Sequence, residues 1–197
     1  MEEPLGIKDL FRKHSHEDVV SSKVLVCGLD PKFAELLNAD RNSYSQFYPN
    51  PTATTFTGVQ ELSAAIGKGY DIVHLFCDAS PEGKITDNSG GIITGTNLIQ
   101  MCCDSDVKLL WVASENKPDA YVKGFKAAGK PLNLVMTINR KGTQFSVFLE
   151  KLLSKMSVGE TMPVAWVAIS PQSPDDPRQK DSPACIFAAG RAAIKLR

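Results

Sequence analysis

The chain has 197 residues, of which 22 are basic and 22 acidic, and 43% of its residues are hydrophobic. These values are typical of one globular domain and exclude a disordered or fibrous protein. The balanced charge gives no strong signal for binding to nucleic acid or to an anionic membrane. No run approaches the roughly 18 apolar residues of a membrane span, and the N-terminus, Met-Glu-Glu-Pro, lacks the features of a signal peptide. We therefore expect a soluble, cytoplasmic domain.

The five cysteines predict reduced, buried thiols. No two of them have C-x-x-C spacing, and four lie in or beside strongly apolar segments. The adjacent Cys102 and Cys103 are poorly placed to bridge each other or to share one metal ion. His14 and His16 offer two metal ligands without an obvious third, so we interpret them as part of a solvated helix end. The sequence therefore predicts neither a metal site nor a cofactor.

The first half of the chain predicts strands that alternate with helices. Residues 1–22 are polar and predict an N-terminal arm or a single short helix. Asp30 is a favourable N-cap and Pro31 suits a first helical turn, so a helix is expected to begin there. Apolar runs and apolar periodicity then predict, in chain order, a strand at 24–27, that helix, a loop at 41–51, a strand at 53–56, a helix at 59–66, a strand at 71–77 and a loop at 78–91.

The second half continues this alternation. In chain order we expect a strand at 92–94, a helix at 96–103, a strand at 107–112, a helix at 118–128, a strand at 132–138, a helix at 144–156 and a strand at 184–188. The segment 162–169 fits either a helix or a strand, and the Pro-, Asp- and Ser-rich stretch 170–183 predicts a mobile loop. Short apolar strands separated by helices indicate an α/β fold, with a mostly parallel sheet between helices on both faces. Residues 23–197 are expected to form this single domain.

Two polar residues follow predicted strands where α/β sheets commonly bind ligands. Asp78 and Ser114 come directly after apolar runs, at the carboxyl ends of parallel strands. Ser114 has no flanking glycines of a nucleophile elbow, and the turn after Cys27 lacks the later glycines of a dinucleotide-binding motif. His74 lies inside its strand, which favours a packed core histidine over a catalytic base.

Residues 71–78, Asp-Ile-Val-His-Leu-Phe-Cys-Asp, resemble the strand D-x-[IVL]-H-[FL]-[AS]-C-H-G of the CHAT peptidases, which are caspase-like proteins. Four further stretches are similar to segments of that family in the same order, namely 91–98, 107–114, 121–138 and 182–190. The resemblance covers about residues 55–191 and implies a caspase-like three-layer sandwich. It places the family's catalytic histidine at Asp78 and its nucleophilic cysteine at Ser114, which implies that the catalytic dyad is lost.

The resemblance thus implies an inactive pseudopeptidase that acts as a scaffold or regulator by binding a protein partner or a second copy of itself. A role in bacterial defence or death-type signalling follows from the family alone. One candidate surface is the sheet edge at 184–188, and the other is a groove at the carboxyl ends of the central strands. The candidate groove residues are His74, Asp78, Ser80, Ser114, Glu115 and Asn116.

Two alternatives remain open at this point. In the first, the chain is an enzyme with a redeployed hydrolytic or Mg²⁺-binding centre, because neighbouring carboxylates raise a pKa or recruit a hard cation. Its residues would be Asp78, Asp87, Ser114 and Glu115. In the second, the crevice around Asp78 and Ser114 is a sensor for a small molecule or nucleotide, bound by polar side chains of the loop 79–91. Those side chains are Ser80, Thr86, Asn88 and Ser89.

Overall fold

A computed structural model describes residues 16–19, 23–80, 82–114, 133–138, 142–183, 185–189 and 193–196. The strands in these ranges are β1 (His16–Val19), β2 (Val24–Gly28), β3 (Thr52–Thr55), β4 (Ile72–Phe76), β5 (Lys84–Thr86), β6 (Ile92–Thr94), β7 (Leu109–Ser114), β8 (Asn133–Ile138), β9 (Cys185–Ala189) and β10 (Ala193–Leu196). The helices are α1 (Ala34–Ser45), α2 (Val59–Ile66), α3 (Gly95–Asp104), α4 (Phe145–Ser157) and α5 (Met162–Ile169). Short 3-10 turns precede α1 at Pro31–Phe33 and α4 at Gly142–Gln144, and a third lies at Pro177–Lys180.

Within the described residues, a six-stranded sheet with the order β3-β2-β4-β7-β8-β9 organises the domain. The first five strands of this order are parallel, and β9 pairs antiparallel with β8 at one end of it. Every residue of β2 and β4 is buried, as expected for parallel strands that are covered on both faces. The structure is therefore an α/β three-layer sandwich, which confirms the predicted fold class.

Alternate residues of the central strands face two separate helical layers. On β2, Leu25 and Cys27 pack in a core with α2, α3 and the β5–β6 hairpin. Val24 and Val26 point to the other face, where the core includes α1, α4 and α5. This alternation follows from the two-residue period of a strand, and it explains why these strands have no polar face.

Four cysteine side chains are free and buried, and they lie in the core with α2 and α3. They are Cys27, Cys77, Cys102 and Cys103, and we call them the buried thiols. Desolvation by burial raises the pKa of Cys27 and Cys77 far above the usual range, and it raises the pKa of Cys102 to about 12. The prediction of reduced, buried cysteines is confirmed for these four.

Two elements differ from the prediction because tertiary contacts extend or create them. α1 continues to Ser45 although a loop was predicted from residue 41. Ser43 and Tyr44 are buried in its last turns, and Ser43 Oγ donates a hydrogen bond to the Ser146 carbonyl of α4 at 3.0 Å. The predicted loop 78–91 contains β5, which pairs antiparallel with β6 and buries Ile85 in the core.

Further observations concern the two ends of the described chain and the segment for which a helix or a strand was expected. Residues 16–19, expected in a polar arm and a helix end, form β1, which pairs in parallel with β10. The segment 162–169 is the helix α5. In the predicted loop 170–183, a 3-10 turn is capped by Asp176, and the buried Asp181 accepts a hydrogen bond from Lys151 of α4 at 2.8 Å. The helix predicted at 118–128 lies outside the described residues. None of the helices in the described ranges is long and apolar enough to cross a membrane.

Candidate functional site

The carboxyl ends of β2 and β4 lie side by side and carry the first polar groups of the site. After β2, the Asp30 side chain accepts the backbone N–H of Lys32 at 2.8 Å and thereby caps the 3-10 turn. The proline at the start of this turn fixes its backbone, as the sequence predicted. Because β2 pairs with β4, this cap directs Lys32 to the residues that follow β4.

Lys32 and Asp78 form an ion pair at this edge of the sheet. The Lys32 ammonium donates a hydrogen bond to the Asp78 carboxylate, and its Nζ lies 3.7 Å from Asp30 Oδ2. The same Nζ lies 5.0 Å from the centre of the Phe33 ring. The hydrogen bond to Asp78 raises the pKa of Lys32 above its usual value. Both side chains of the pair are about half exposed, at 51% and 49%, and an incoming group can therefore reach them.

Ser114 lies at the same edge of the sheet as Asp78. It is the last residue of β7, which pairs in parallel with β4 so that Phe76 lies opposite Ala113. The Cys77 N–H continues this pairing by donating to the Ala113 carbonyl at 3.2 Å. Ser114 thus ends β7, and Asp78 lies two residues after the end of the neighbouring β4. Glu115 and Asn116 lie outside the described residues.

His74 belongs to the core and not to an open groove. Its side chain is fully buried, with its ring stacked between Phe76 and Trp111 at centroid distances of 5.0 and 5.1 Å. Its Nδ1 lies 3.3 Å from the Tyr44 hydroxyl, and its Nε2 lies 3.5 Å from Asp40 Oδ2. The prediction that His74 is a groove residue was therefore wrong. Strand alternation directs its side chain into the core beside α1 and α4, where solvent does not reach it.

Ser80 uses its hydroxyl to fold its own loop. The hydroxyl donates to a Glu82 carboxylate oxygen at 2.7 Å, and it accepts the backbone N–H groups of Glu82 and Lys84 at 3.2 and 3.3 Å. The hydrogen bond from Ser80 is also the main reason why the pKa of Glu82 is lowered. Ser80 therefore shapes the entry to β5, and its hydroxyl is already occupied.

Asp87 anchors the β5–β6 hairpin to the start of α2. Its carboxylate accepts the N–H of Val59 at 2.8 Å, the N–H of Ser89 at 2.9 Å and the N–H of Gly91 at 2.6 Å. It also accepts the Ser89 hydroxyl at 2.8 Å. These hydrogen bonds, above all that of Val59, lower the pKa of Asp87. The carboxylate therefore has a structural role, with partners different from those of Asp78.

A cleft of about 370 Å³ opens beside this anchor, between the start of α2 and the hairpin. The sequence did not predict this cleft, because its two sides, the start of α2 and the β5–β6 hairpin, are far apart along the chain. The exposed Ile92 adds an apolar surface to this cleft. The cleft is lined by Thr57, Gly58, Val59, Gln60, Glu61, Asp87, Ser89, Gly91 and Ile92.

Lys32 was also missed, although it has a sequence signal. It follows β2 in the way that Asp78 follows β4, and the pairing of those strands could have placed both at one edge. In the described part of the chain, no three His, Cys, Asp or Glu side chains are grouped to hold a metal ion. The chain matches no protein-family model and no curated protein sequence.

Proposed function

We propose that this chain is a catalytically inactive, caspase-like domain that acts in the cytoplasm as a protein-binding scaffold or regulator. The observation that carries this proposal is the ion pair between Lys32 and Asp78. The resemblance to CHAT peptidases places a general base at the position of Asp78. A carboxylate is a poorer general base at neutral pH than an imidazole, and here it is already bound by an ammonium group.

The architecture supports the proposal in two further ways. A mostly parallel sheet between two helical layers is the fold that the resemblance implies. The positions matched to the base and the nucleophile, Asp78 and Ser114, lie at the carboxyl ends of adjacent strands of that sheet. In this proposal, Asp78 and Ser114 occupy the positions of a catalytic base and a nucleophile, but an aspartate and a serine do not supply the chemistry of a histidine–cysteine dyad.

The Lys32–Asp78 pair is a plausible contact point for an extended segment of a partner protein or of a second copy of the chain. The pair is half exposed, with a second carboxylate, that of Asp30, 3.7 Å from the ammonium nitrogen. Exposed ion pairs contribute only about 0–1 kcal/mol to folding. A partner could therefore rearrange these charges at little cost to the fold, and charge reversal should affect binding far more than stability.

The test is capture of the partner by the tagged full-length chain, with Lys32→Glu and Ser114→Ala beside the wild type. We expect a stoichiometric, uncleaved partner that Ser114→Ala retains and that Lys32→Glu binds at least about tenfold more weakly. Lys155→Glu is the control, because it reverses a lysine in another partly exposed pair, with Glu160 at 3.0 Å near the end of α4. A partner that is cleaved by the wild type but not by Ser114→Ala would refute the inactive assignment.

The cleft beside Asp87 favours a second candidate function, that of a sensor for a small polar ligand. Of the side chains predicted to bind such a ligand, Ser89 lines this cleft, which is separate from the predicted crevice around Asp78 and Ser114. A screen of polar metabolites by thermal unfolding tests it. A true ligand at 100 times its Kd adds about 2.7 kcal/mol to the unfolding free energy. The effect should disappear when Ile92→Asp places a charge in the cleft, whereas no stabilisation by any compound would leave the scaffold as the better function.

A further inference from the structure

The chain contains four Ser-Pro dipeptides, and their serines differ sharply in accessibility. These serines are Ser80, Ser170, Ser173 and Ser182. We propose that Ser173 is a phosphorylation site for a proline-directed serine/threonine kinase, and that its phosphate takes Arg178 away from Asp176. Such kinases act on a serine that precedes proline, and the hydroxyl must be free to enter the active site of the kinase.

Three of the four hydroxyls are unsuitable in the folded chain. The Ser80 hydroxyl is engaged with Glu82 and Lys84. Ser170 Oγ donates to the Trp166 carbonyl at 2.8 Å, at the end of α5. Ser182 is buried, with 6% of its surface exposed. Modification of any of these serines requires a local opening that breaks a hydrogen bond or exposes buried surface.

Ser173 has the opposite properties. It is exposed, and within the described part of the chain its hydroxyl takes part in no hydrogen bond. Its carbonyl accepts the Asp176 N–H at 3.2 Å and the Gln179 side-chain amide at 3.3 Å, so it begins a β-turn on the surface. Pro174 stands at the second position of this turn, where proline is favoured. The Ser-Pro dipeptide is therefore presented at the surface by its own turn.

The modification transfers the γ-phosphoryl group of ATP to Ser173. The bond between the γ-phosphorus and the β–γ bridging oxygen breaks, a new bond to Oγ forms, and the hydroxyl proton passes to the base of the kinase. The product carries a charge of about −1.5 to −2 at neutral pH, with three acceptor oxygens. Asp175 and Asp176 follow within three residues, so the phosphate would be repelled by them unless a cation intervenes.

Arg178 is linked to Ser173 through Asp176, whose N–H closes the turn on the Ser173 carbonyl. Its Nε donates to both Asp176 carboxylate oxygens, at 2.9 and 3.1 Å, and its Nη1 donates to the Ala168 carbonyl of α5 at 3.2 Å. A guanidinium group binds phosphate in the same bidentate manner, and the phosphate carries more charge than a carboxylate. Movement of Arg178 to the phosphate would break its side-chain hydrogen bonds to Asp176 and to the Ala168 carbonyl at the end of α5. Phosphorylation is therefore expected to loosen the segment 170–183.

The test treats the intact chain with an active mitogen-activated protein kinase and ATP, and maps the phosphate by mass spectrometry. Synthetic peptides around each of the four serines measure the sequence preference of the same kinase. After normalisation to the peptides, Ser173 should be modified at least about tenfold faster than the others in the folded chain. Ser173→Ala should remove the signal, and Ser170→Ala is the matched control that keeps it.

Hydrogen exchange then tests the role of Arg178. Phosphorylation should speed amide exchange in 170–183, and Arg178→Ala should speed it without phosphate, so that phosphorylation adds little more in that variant. The proposal fails if Ser80, Ser170 or Ser182 is modified as fast as Ser173. It also fails if Ser173 stays unmodified by a kinase that accepts its peptide, or if exchange in the segment is unchanged by the phosphate.

Discussion

Adding a methyl group at Gly91 tests whether the Asp87 carboxylate holds the β5–β6 hairpin against the start of α2. A Cβ atom there would lie 2.4 Å from Asp87 Oδ2 and 3.0 Å from Asp87 Cγ. The Asp87 carboxylate has little freedom to move, because its hydrogen bonds join it to Val59, Ser89 and Gly91. We therefore expect Gly91→Ala to push the carboxylate off the start of α2 and to weaken the attachment of the hairpin.

The size of this effect follows from the clash and from the size of the chain. Overpacking a well-packed site by one methyl group costs about 1–3 kcal/mol. In a chain of this length, 1 kcal/mol shifts the melting temperature by about 2–4 °C. Gly91→Ala should therefore lower the melting temperature by about 2–12 °C. Calorimetry and urea unfolding should agree on the change in the free energy of unfolding.

The matched control is Gly67→Ala at the end of α2. A Cβ atom on Gly67 would meet only carbonyl oxygens at 3.7 and 3.8 Å, and its φ of −62° suits any residue. This change should be neutral or should stabilise by up to about 1 kcal/mol. In an Asp87→Ala background the clash disappears, so the cost of Gly91→Ala should fall below about 0.5 kcal/mol. Equal costs of Gly91→Ala in the two backgrounds would refute the steric reasoning.

Three further predictions concern pH, a buried hydrogen bond and the thiols. Because the pKa of Asp87 is lowered in the folded chain, its carboxylate stabilises the fold above the unfolded-state pKa of about 3.9, and this stabilisation is lost as the pH falls below that value. Asp87→Asn should therefore reduce the dependence on acidic pH of the unfolding free energy measured in urea. Thr137→Val should lower the unfolding free energy measured by chemical denaturation by about 1–3 kcal/mol, because the buried Trp111 indole N–H loses its acceptor at 3.3 Å. In a Trp111→Phe background this loss should vanish. The buried thiols should react with Ellman's reagent at pH 8 at least about 100-fold slower than in concentrated urea, and rapid labelling of Cys102 in the native chain would contradict its burial.

The central strands could be predicted because their apolar runs have only one stable environment. β2 and β4 are buried on both faces, and the helices between the strands bury one apolar stripe each. β1 and β5 could not be predicted in this way. β1 has the polar sequence His-Glu-Asp-Val, and only Ile85 of β5 enters the core, so both depend on a pairing partner distant in sequence or across a turn.

The site was predicted as a location more successfully than as a set of contacts. Asp78 and Ser114 could be placed at one edge because parallel strands end together. The partner of Asp78 could not be predicted, because Lys32 lies 46 residues away in the sequence. A lysine after a strand is also common on protein surfaces. The position of His74 inside its strand predicted that its side chain lies in the core. The sequence does not show that its ring stacks on Phe76 and Trp111.

The pairing of β1 with β10 has a consequence for the order of folding. It joins His16 to Ala193, so its loop spans nearly all of the described chain, whereas β2 and β4 join Val24 to Ile72. Closing a loop about four times longer costs roughly 1 kcal/mol more entropy, and a two-stranded sheet is marginal by itself. Since β10 contacts α4 and α5, the pair gains its support only after those helices have packed on the large sheet. β1 and β10 should thus be the last strands to join during folding and the first to open, with amides that exchange with deuterium before those of β2 and β4.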